Sequence, residues 1–514
     1  MPSHFAFRVD AGLHIGNGHV MRCLTLADYL AAEGHRATFL TRAHDGHMIG
    51  TIQSQGYDVE ILPEPDVVDY GPHSATPVHA AWLRGNWRDD ALMTRAWMDA
   101  VRPDWMVVDH YALDALWQEA AVPCGIRLAV IDDLADRPHR ADLLLDQNAG
   151  REDNDYDGLV PAGCTRLIGP RYALLRPEFA ASRPKALIRR EAATIRNILI
   201  TLGGVDQDNL TEDILDALDR TELSPEISLT VVLGANAPWT NEVRARAARM
   251  DRNVEVISGA NNMADLMASA DLCIGAAGST AWERCALGLP SLLLVAAENQ
   301  RGAAEAIVAD GAAIRLLLTN GLKDAIDAAI PQILNPFSYR SVSANCAELV
   351  DAEGAKRVTT YLAAFKIGLR NANALDGKFI WHCRNDGEAW RHYRNATPTS
   401  LATHLKWFET ALKSSSKILM VVFVGEQDVG TVRLDIDETG TYAEIGISLA
   451  QGARGTGLGG AVIARTIQES RKIGLHSVFA HVRPENIASH RAFLSSGFEA
   501  IGEKNGMIIL CYNL

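Results

Sequence analysis

The sequence offers cysteine little to build with. Its 514 residues hold eight cysteines (Cys23, Cys124, Cys164, Cys273, Cys285, Cys346, Cys383 and Cys511), scattered and without a Cys-x-x-Cys pair. That spacing excludes a disulfide framework and the common zinc patterns, and suits reduced thiols. Basic charge is also short. Lys and Arg number 49 against 63 Asp and Glu, a formal net charge of −14. Such a chain lacks the basic face that general nucleic-acid binding requires. No uninterrupted apolar run is long enough to span a bilayer. The opening Met-Pro-Ser-His-Phe-Ala-Phe-Arg shows no basic-then-apolar signal segment. The expected partners are small molecules, with no metal, nucleic acid or membrane, and the expected compartment is the cytoplasm. What is present in quantity is length and apolar content. At 48% hydrophobic the composition is that of a globular chain, and its length requires two or three cores.

Short β-rich runs alternate with helical patterns from the start. Strands are expected at residues 5–9, 37–41, 105–109, 128–132 and 143–146, which implies a mostly parallel sheet covered by helices. Residues 63–88 read as a long surface loop or lid. A polar stretch, 183–196, separates this set from a second one, with strands at 198–202, 229–233, 254–258, 272–275 and 291–295. The helical pattern at 344–365 can cross back onto the first domain. Residues 370–377 look like a linker. A mixed α+β region follows, with a helix at 401–412, strands at 418–424, 430–435 and 443–449, a long helix at 461–473, and strands at 477–482 and 507–512. The domains expected are 1–185, 186–367 and 376–514, with 368–375 as linker.

The run Gly16-Asn-Gly-His-Val-Met-Arg22 follows the first strand. It places His19 where strand becomes helix, at the carboxyl edge of the sheet, where ligands collect. An imidazole there can take a proton from water. Gly16 and Gly18 let backbone and ligand approach closely. Asp109, His110 and Tyr111 end another strand and point toward the same cleft. In the second set, Gly278-Ser-Thr-Ala-Trp-Glu283 opens a helix after a buried strand. Its free amides, with Ser279 and Thr280, can receive a diphosphate, and Glu283 can reach a ribose or sugar hydroxyl. The same residues also satisfy a capping box. Gly204 and Gln300 lie at the same edge.

These runs, with Val107-Val-Asp-His-Tyr111, Ile131-Asp-Asp133, Gly169-Pro-Arg-Tyr-Ala-Leu-Leu-Arg176, Leu202-Gly-Gly-Val-Asp206 and Glu298-Asn-Gln300, resemble the nucleotide-sugar hydrolases of pseudaminic acid biosynthesis over about the first 365 residues. The resemblance implies two Rossmann-like domains of the glycosyltransferase-B type. It implies cleavage of UDP from UDP-2,4-diacetamido-2,4,6-trideoxy-β-L-altropyranose with inversion. It makes His19 the base, puts Arg176 and Asn299 among the substrate contacts, and puts Gly278, Ser279 and Glu283 at the nucleotide; Arg22, in the same run as His19, is a further candidate substrate contact. A legionaminic-type stereoisomer, a glycosyltransferase and a nucleotide-sensing module stay open as alternatives.

In the last region, Arg454, Gly457 and Gly459 give the spacing Arg-x-x-Gly-x-Gly between a strand and a helix. Successive amides in such a turn cradle a pyrophosphate. With Glu444-Ile-Gly-Ile-Ser-Leu449 before it, the run from Asn486 to Phe498 after it, and Trp407-Phe-Glu409 upstream, it resembles the GNAT acetyltransferases. That resemblance implies acetyl-CoA as co-substrate, held along Ile447, Leu449, Arg454, Gly455, Gly457, Gly459, Asn486, Ser489 and Phe493. It makes Glu444 and His481 candidates for the base. Phe493 stands where many members carry a tyrosine acid, leaving Tyr512, another group or solvent for that step. A fold of two Rossmann-like domains followed by a GNAT domain implies two consecutive steps on one UDP-sugar.

Overall fold

The computed structural model describes residues 2–63, 77–203, 206–235, 237–295, 300–365, 367–386, 389–393, 397–455 and 458–514. Seven strands form the first sheet: β1 (His4–Val9), β2 (Arg36–Arg42), β3 (Asp58–Leu62), β4 (Trp105–Asp109), β5 (Arg127–Ile131), β6 (Leu143–Asp146) and β7 (Thr165–Ile168). They pair in the order β3-β2-β1-β4-β5-β6-β7, all parallel. Helices α1 (Gly18–Ala32), α2 (Ile49–Ser54), α3 (Trp87–Val101) and α4 (Ala115–Ala121) cross between strands. A parallel sheet covered on both faces needs continuous apolar strands rather than alternating ones, and β4, Trp-Met-Val-Val-Asp, is buried at every position. The strand order reverses between β1 and β4. At such a switch point the carboxyl ends of two strands open a crevice.

α5 (Pro177–Glu191) leads to the second sheet: β8 (Asn197–Thr201), β9 (Ser228–Leu233), β10 (Val254–Ser258), β11 (Leu272–Ala276), β12 (Ser291–Leu294) and β13 (Ile314–Arg315), ordered β10-β9-β8-β11-β12-β13. Its helices are α6 (Leu210–Arg220), α7 (Thr240–Ala247), α8 (Met263–Ser269), α9 (Thr280–Ala286), α10 (Arg301–Ala309), α11 (Leu322–Leu334) and α12 (Pro336–Leu349). Here the switch lies between β8 and β11. The polar stretch expected as a separator is instead the end of α5. Its arginines cover carbonyls of the second layer: Arg183 donates to Val350 and Ala347, and Arg190 to Ala270 and Met267. A charge-rich run read as a separator is thus a docking surface. The cross-back at residues 344–365 is present where Gly354 meets Tyr172 and Ala173. A Cβ on Gly354 would lie 2.3 Å from the Ala173 carbonyl oxygen.

The chain divides into two compact units, Met1–Ala355 and Lys356–Leu514. Both parallel sheets fall in the first. α13 (Gly354–Ala364) spans the division. The second unit holds β14 (Ile367–Asn371), α14 (Gly377–Asn385), α15 (Leu401–Leu412), β15 (Lys417–Val424), β16 (Gln427–Ile436), β17 (Tyr442–Leu449), α16 (Leu458–Lys472), β18 (Ser477–Val482), α17 (Ile487–Ser495), β19 (Glu499–Lys504) and β20 (Met507–Asn513). Its sheet runs β14-β15-β16-β17-β18-β20-β19, antiparallel except for β17 on β18. The expected linker at 368–375 is corrected: residues 367–371 are β14, paired antiparallel with β15. Gly368, which made the segment look flexible, is there because the Phe423 ring occupies its side-chain space, 2.0 Å from where a Cβ would sit.

Candidate active sites

The tight loop before α1 closes with a Gly16 N–H donated to the Gly12 carbonyl at 2.7 Å. Gly16 has φ +82°, a left-handed conformation that glycine takes without strain. The loop delivers His19 to the first turn of α1, beside the end of β4. There Nδ1 of His19 lies 2.6 Å from Asp109 Oδ1. Arg22, one turn on, clamps the same carboxylate with two bonds of 2.6 Å, from Nε to Oδ2 and from Nη2 to Oδ1. Burial alone would raise the pKa of Asp109, yet the adjoining Arg22 and His19 hold its carboxyl well below the usual range. An ionised Asp109 accepts the Nδ1 proton and leaves Nε2 as the free acceptor of the ring. The His19 side chain keeps 10% of its surface exposed, enough for water to reach it.

A second carboxylate fixes the first. Arg22 Nη1 sits 2.8 Å from Asp133, and the Tyr111 hydroxyl donates to Asp133 as well. Burial and that neighbouring carboxylate push the Tyr111 phenol well up, so it stays a donor. Tyr111 presents its ring edge-on to His19 at 4.7 Å, and Trp82 stacks on Tyr111 at 5.3 Å. Part of the expected loop is thus ordered against the imidazole: residues 80–83 form a turn of 3-10 helix carrying Trp82. Residues 64–76 lie outside the described residues. Neither Asp133 nor Trp82 was singled out for a role from sequence. Asp133 sat within Ile131-Asp-Asp133 and was there to be found, whereas nothing in the run around Trp82 has a period.

His110 does not join the group. It is buried against Asp10, Nε2 to Oδ2 at 3.2 Å, within a set that includes Arg8, Arg42 and Asp90. Burial lowers its affinity for a proton. Alternation along the chain explains this: Asp109 and Tyr111 face the crevice and His110 the interior.

The second sheet brings its own edge to the same crevice. A Cβ on Gly18 would lie 3.9 Å from Ser279 Oγ, and one on Gly278 would lie 3.6 Å from Gln300 Nε2. Ser279 occupies the N-cap position of α9 but makes no side-chain cap bond, so the capping-box reading is not realised. Glu283, expected to return that bond, faces Arg176 Nη2 at 3.5 Å instead. Burial pulls the Glu283 carboxyl up, and Arg176 opposes it. Thr280 accepts from Arg284 at 3.2 Å. Gly275 gives Arg284 room: a Cβ there would sit 2.9 Å from Nη1 and 2.8 Å from the Thr201 carbonyl oxygen. Asp206, expected to face the cleft, caps α6 through the amides of Leu210 and Thr211. Gly204 and Asn299 lie outside the described residues.

In the second unit, β17 pairs with β18 only at Tyr442, Ala443 and Glu444. Beyond that point Ile447 and Leu449 bond to β16 on one side, and among the described residues no strand pairs with the other edge of β17 there. Glu444 Oε2 and His481 Nδ1 stand 3.3 Å apart where the two strands diverge. Gly455 has φ +74°, and Gly459 lies in the first turn of α16. Gly457 lies outside the described residues. The Arg454 guanidinium is committed to carbonyls of Leu449, Asp386 and Cys383, so it secures the turn. Asn486 caps α17 by accepting from Ser489 N. Phe493 is buried, 4.9 Å from Phe498, and the Tyr512 hydroxyl meets that of Tyr361 at 3.0 Å. Among the described residues no three potential ligands are grouped to hold a metal, and no helix is long and apolar enough to cross a membrane.

Known proteins share both halves. Residues 197–358 match the glycosyltransferase family 28 C-terminal domain, and residues 366–499 match the acetyltransferase (GNAT) domain. An uncharacterised protein of Methanocaldococcus jannaschii is 23% identical over 518 residues, covering 96% of each chain. The UDP-2,4-diacetamido-2,4,6-trideoxy-beta-L-altropyranose hydrolase of Campylobacter jejuni is 27% identical over 299 residues, covering 58% of this chain and 93% of that one. The crystal structure of MurG from Acinetobacter baumannii matches with a TM-score of 0.51 at 16% identity, covering 70% of this chain and 98% of that one, a likeness of fold. The chain is therefore a nucleotide-sugar-processing enzyme, related to a UDP-sugar hydrolase, in which a glycosyltransferase-B-like unit is joined to a GNAT acetyltransferase domain.

Proposed function

We propose that the first unit hydrolyses UDP-2,4-diacetamido-2,4,6-trideoxy-β-L-altropyranose to UDP and free sugar, and that the second unit prepares this substrate by transferring an acetyl group from acetyl-CoA to the 4-amine of the precursor UDP-sugar. The observation that carries the hydrolysis is the Asp109–His19 contact of 2.6 Å, which turns the other ring nitrogen into an acceptor at a crevice shared by two sheets. The likeness to the Campylobacter hydrolase supports the substrate. Nε2 takes a proton from water as its oxygen bonds to the anomeric carbon. The bond from that carbon to the diphosphate oxygen breaks, and UDP leaves with the electron pair. Attack opposite the leaving group inverts the anomeric centre. Arg176, Glu283 and the amides after Gly278 are assigned to the nucleotide.

In the acetyl transfer the amine nitrogen attacks the thioester carbonyl. The new C–N bond forms, the C–S bond breaks, and the ammonium proton passes to Glu444 or His481. The CoA thiolate is protonated from solvent, because Phe493 has no proton to give and the Tyr512 hydroxyl is paired with Tyr361.

Incubation of the UDP-sugar with the protein alone tests the first half. Release of UDP with no acceptor present, and an inverted anomer in the first proton spectra, are the expected results. UDP release that requires an added acceptor would establish a glycosyltransferase instead.

A further inference from the structure

The face of the second unit's sheet that carries Glu444 and His481 also carries Arg433, whose Nε pairs with Asp435 at 2.9 Å, and Arg384, which no step above uses. Glu444, Gly446 and Ser448 alternate along β17, and β16 sets Asp435, Arg433 and Thr431 directly opposite them. Directly opposed side chains share a face. The Arg433 guanidinium lies over Gly446, where a Cβ would be 3.8 Å from Nη2. Farther along, the Tyr393 hydroxyl meets Ser448 Oγ, and the guanidinium carbon of Arg384 stands 4.7 Å from the Tyr393 ring centre. Among the described residues Arg384 has no carboxylate within ion-pair distance, and its Nε is buried without an acceptor. Its place is fixed from behind. Arg454 binds the carbonyls of Cys383 and Asp386 on either side of it.

The face is polarised. Glu444, Asp435 and His481 lie at one end, Arg433 and Arg384 toward the other. One same-face step along a strand is roughly 7 Å, about the span of a pyranose ring from a 4-amine to a phosphate on C1. Guanidinium forks match phosphate oxygens in pairs. We propose that Arg384 and Arg433 form a phosphate subsite of the acetyl-acceptor groove. It binds the diphosphate of a nucleotide-linked amino sugar while the amine reaches Glu444 and His481. The proposal rests on the acetyl-acceptor reading of this unit, and from the glycine turn it uses only Arg454, as a support for Arg384.

The test is a calorimetric titration of the full chain with UDP under saturating CoA. The Arg384→Gln/Arg433→Gln double variant is expected to bind one UDP fewer per chain than the wild type, with its CoA affinity unchanged. Arg433→Lys, which keeps the charge, retains that site with weaker affinity. In steady state the double variant raises KM for the UDP-amino sugar at least tenfold, and leaves KM for acetyl-CoA and turnover of the unphosphorylated amino sugar as they were. Equal UDP stoichiometry in wild type and double variant overturns the subsite. If the stoichiometry falls but the wild type releases no CoA thiol from acetyl-CoA and the UDP-amino sugar, the subsite stands and the acetyl-acceptor reading falls.

Discussion

Asp109 is shared between the proposed base and a clamp. One oxygen faces the His19 ring, and both receive Arg22. Aspartate does two things here that asparagine cannot: it neutralises Arg22, and it accepts from Nδ1 without offering a donor of its own. Asp109→Asn is therefore expected to lower kcat for UDP release by roughly 10²–10⁴-fold, the ordinary size of a general-base contribution. KM should stay within a few-fold, and steady-state assays of the folded variant check both. Legibility stopped at this contact. His19 and Asp109 were each readable as strand-end residues, but 90 positions separate them, and only the strand reversal at β1 and β4 makes them neighbours.

Behind the pair runs a chain of carboxylates with one proton too few for its contacts. The Tyr156 hydroxyl sits 3.0 Å from Asp132 and 2.9 Å from Asp146, and it can donate to only one of them. Burial, with Asp133 nearby, pushes the Asp146 carboxyl up to about 7. Between about pH 4 and pH 7 the folded chain then binds a proton that the unfolded chain has lost. This carboxyl's contribution to stability falls as pH rises through that window, against the opposite slope of nearby His139, which burial lowers to about 4. Across the whole window that contribution is roughly 4 kcal/mol, with roughly 3 kcal/mol of it lost between pH 5 and pH 8. Denaturant titrations at pH 5 and pH 8 measure it, and Asp146→Asn should flatten the difference.

At the scale of elements, the strands of both parallel sheets were readable because each is a continuous buried run. The elements that were missed share one property: their apolar pattern is short or mixed. β3 is mostly exposed, β7 has four residues, and β13 has two. β14 was hidden for another reason. Glycine and polar residues make the segment look like a connector, while its register is set by a partner 50 positions on. Gly368→Ala should expose that role. Forcing a methyl against the Phe423 ring costs about 1–3 kcal/mol in a packed site. Unfolding of the second unit is expected to shift by that amount. Adding Phe423→Leu should recover part of the loss if the ring is the obstacle, and none if glycine serves only as a hinge.

For the whole molecule, two compact units with separate sheets give the two proposed reactions a unit each. The order of those reactions can be read from what each lesion accumulates. With UDP-amino sugar and acetyl-CoA supplied together, the wild type should yield CoA, UDP and the free diacetamido sugar in equal amounts. His19→Ala removes the proposed base of the first unit and leaves the second untouched, so the acetylated UDP-sugar should build up while CoA release continues. Glu444→Gln acts before that point. If acetylation comes first and the hydrolase prefers the acetylated sugar, UDP release from the amino sugar should fall along with CoA release. UDP release from pre-acetylated substrate should stay at the wild-type rate. If His19→Ala instead accumulates the unacetylated UDP-sugar, acetyl transfer follows hydrolysis, and the 4-amine of the nucleotide-linked sugar is not the acceptor.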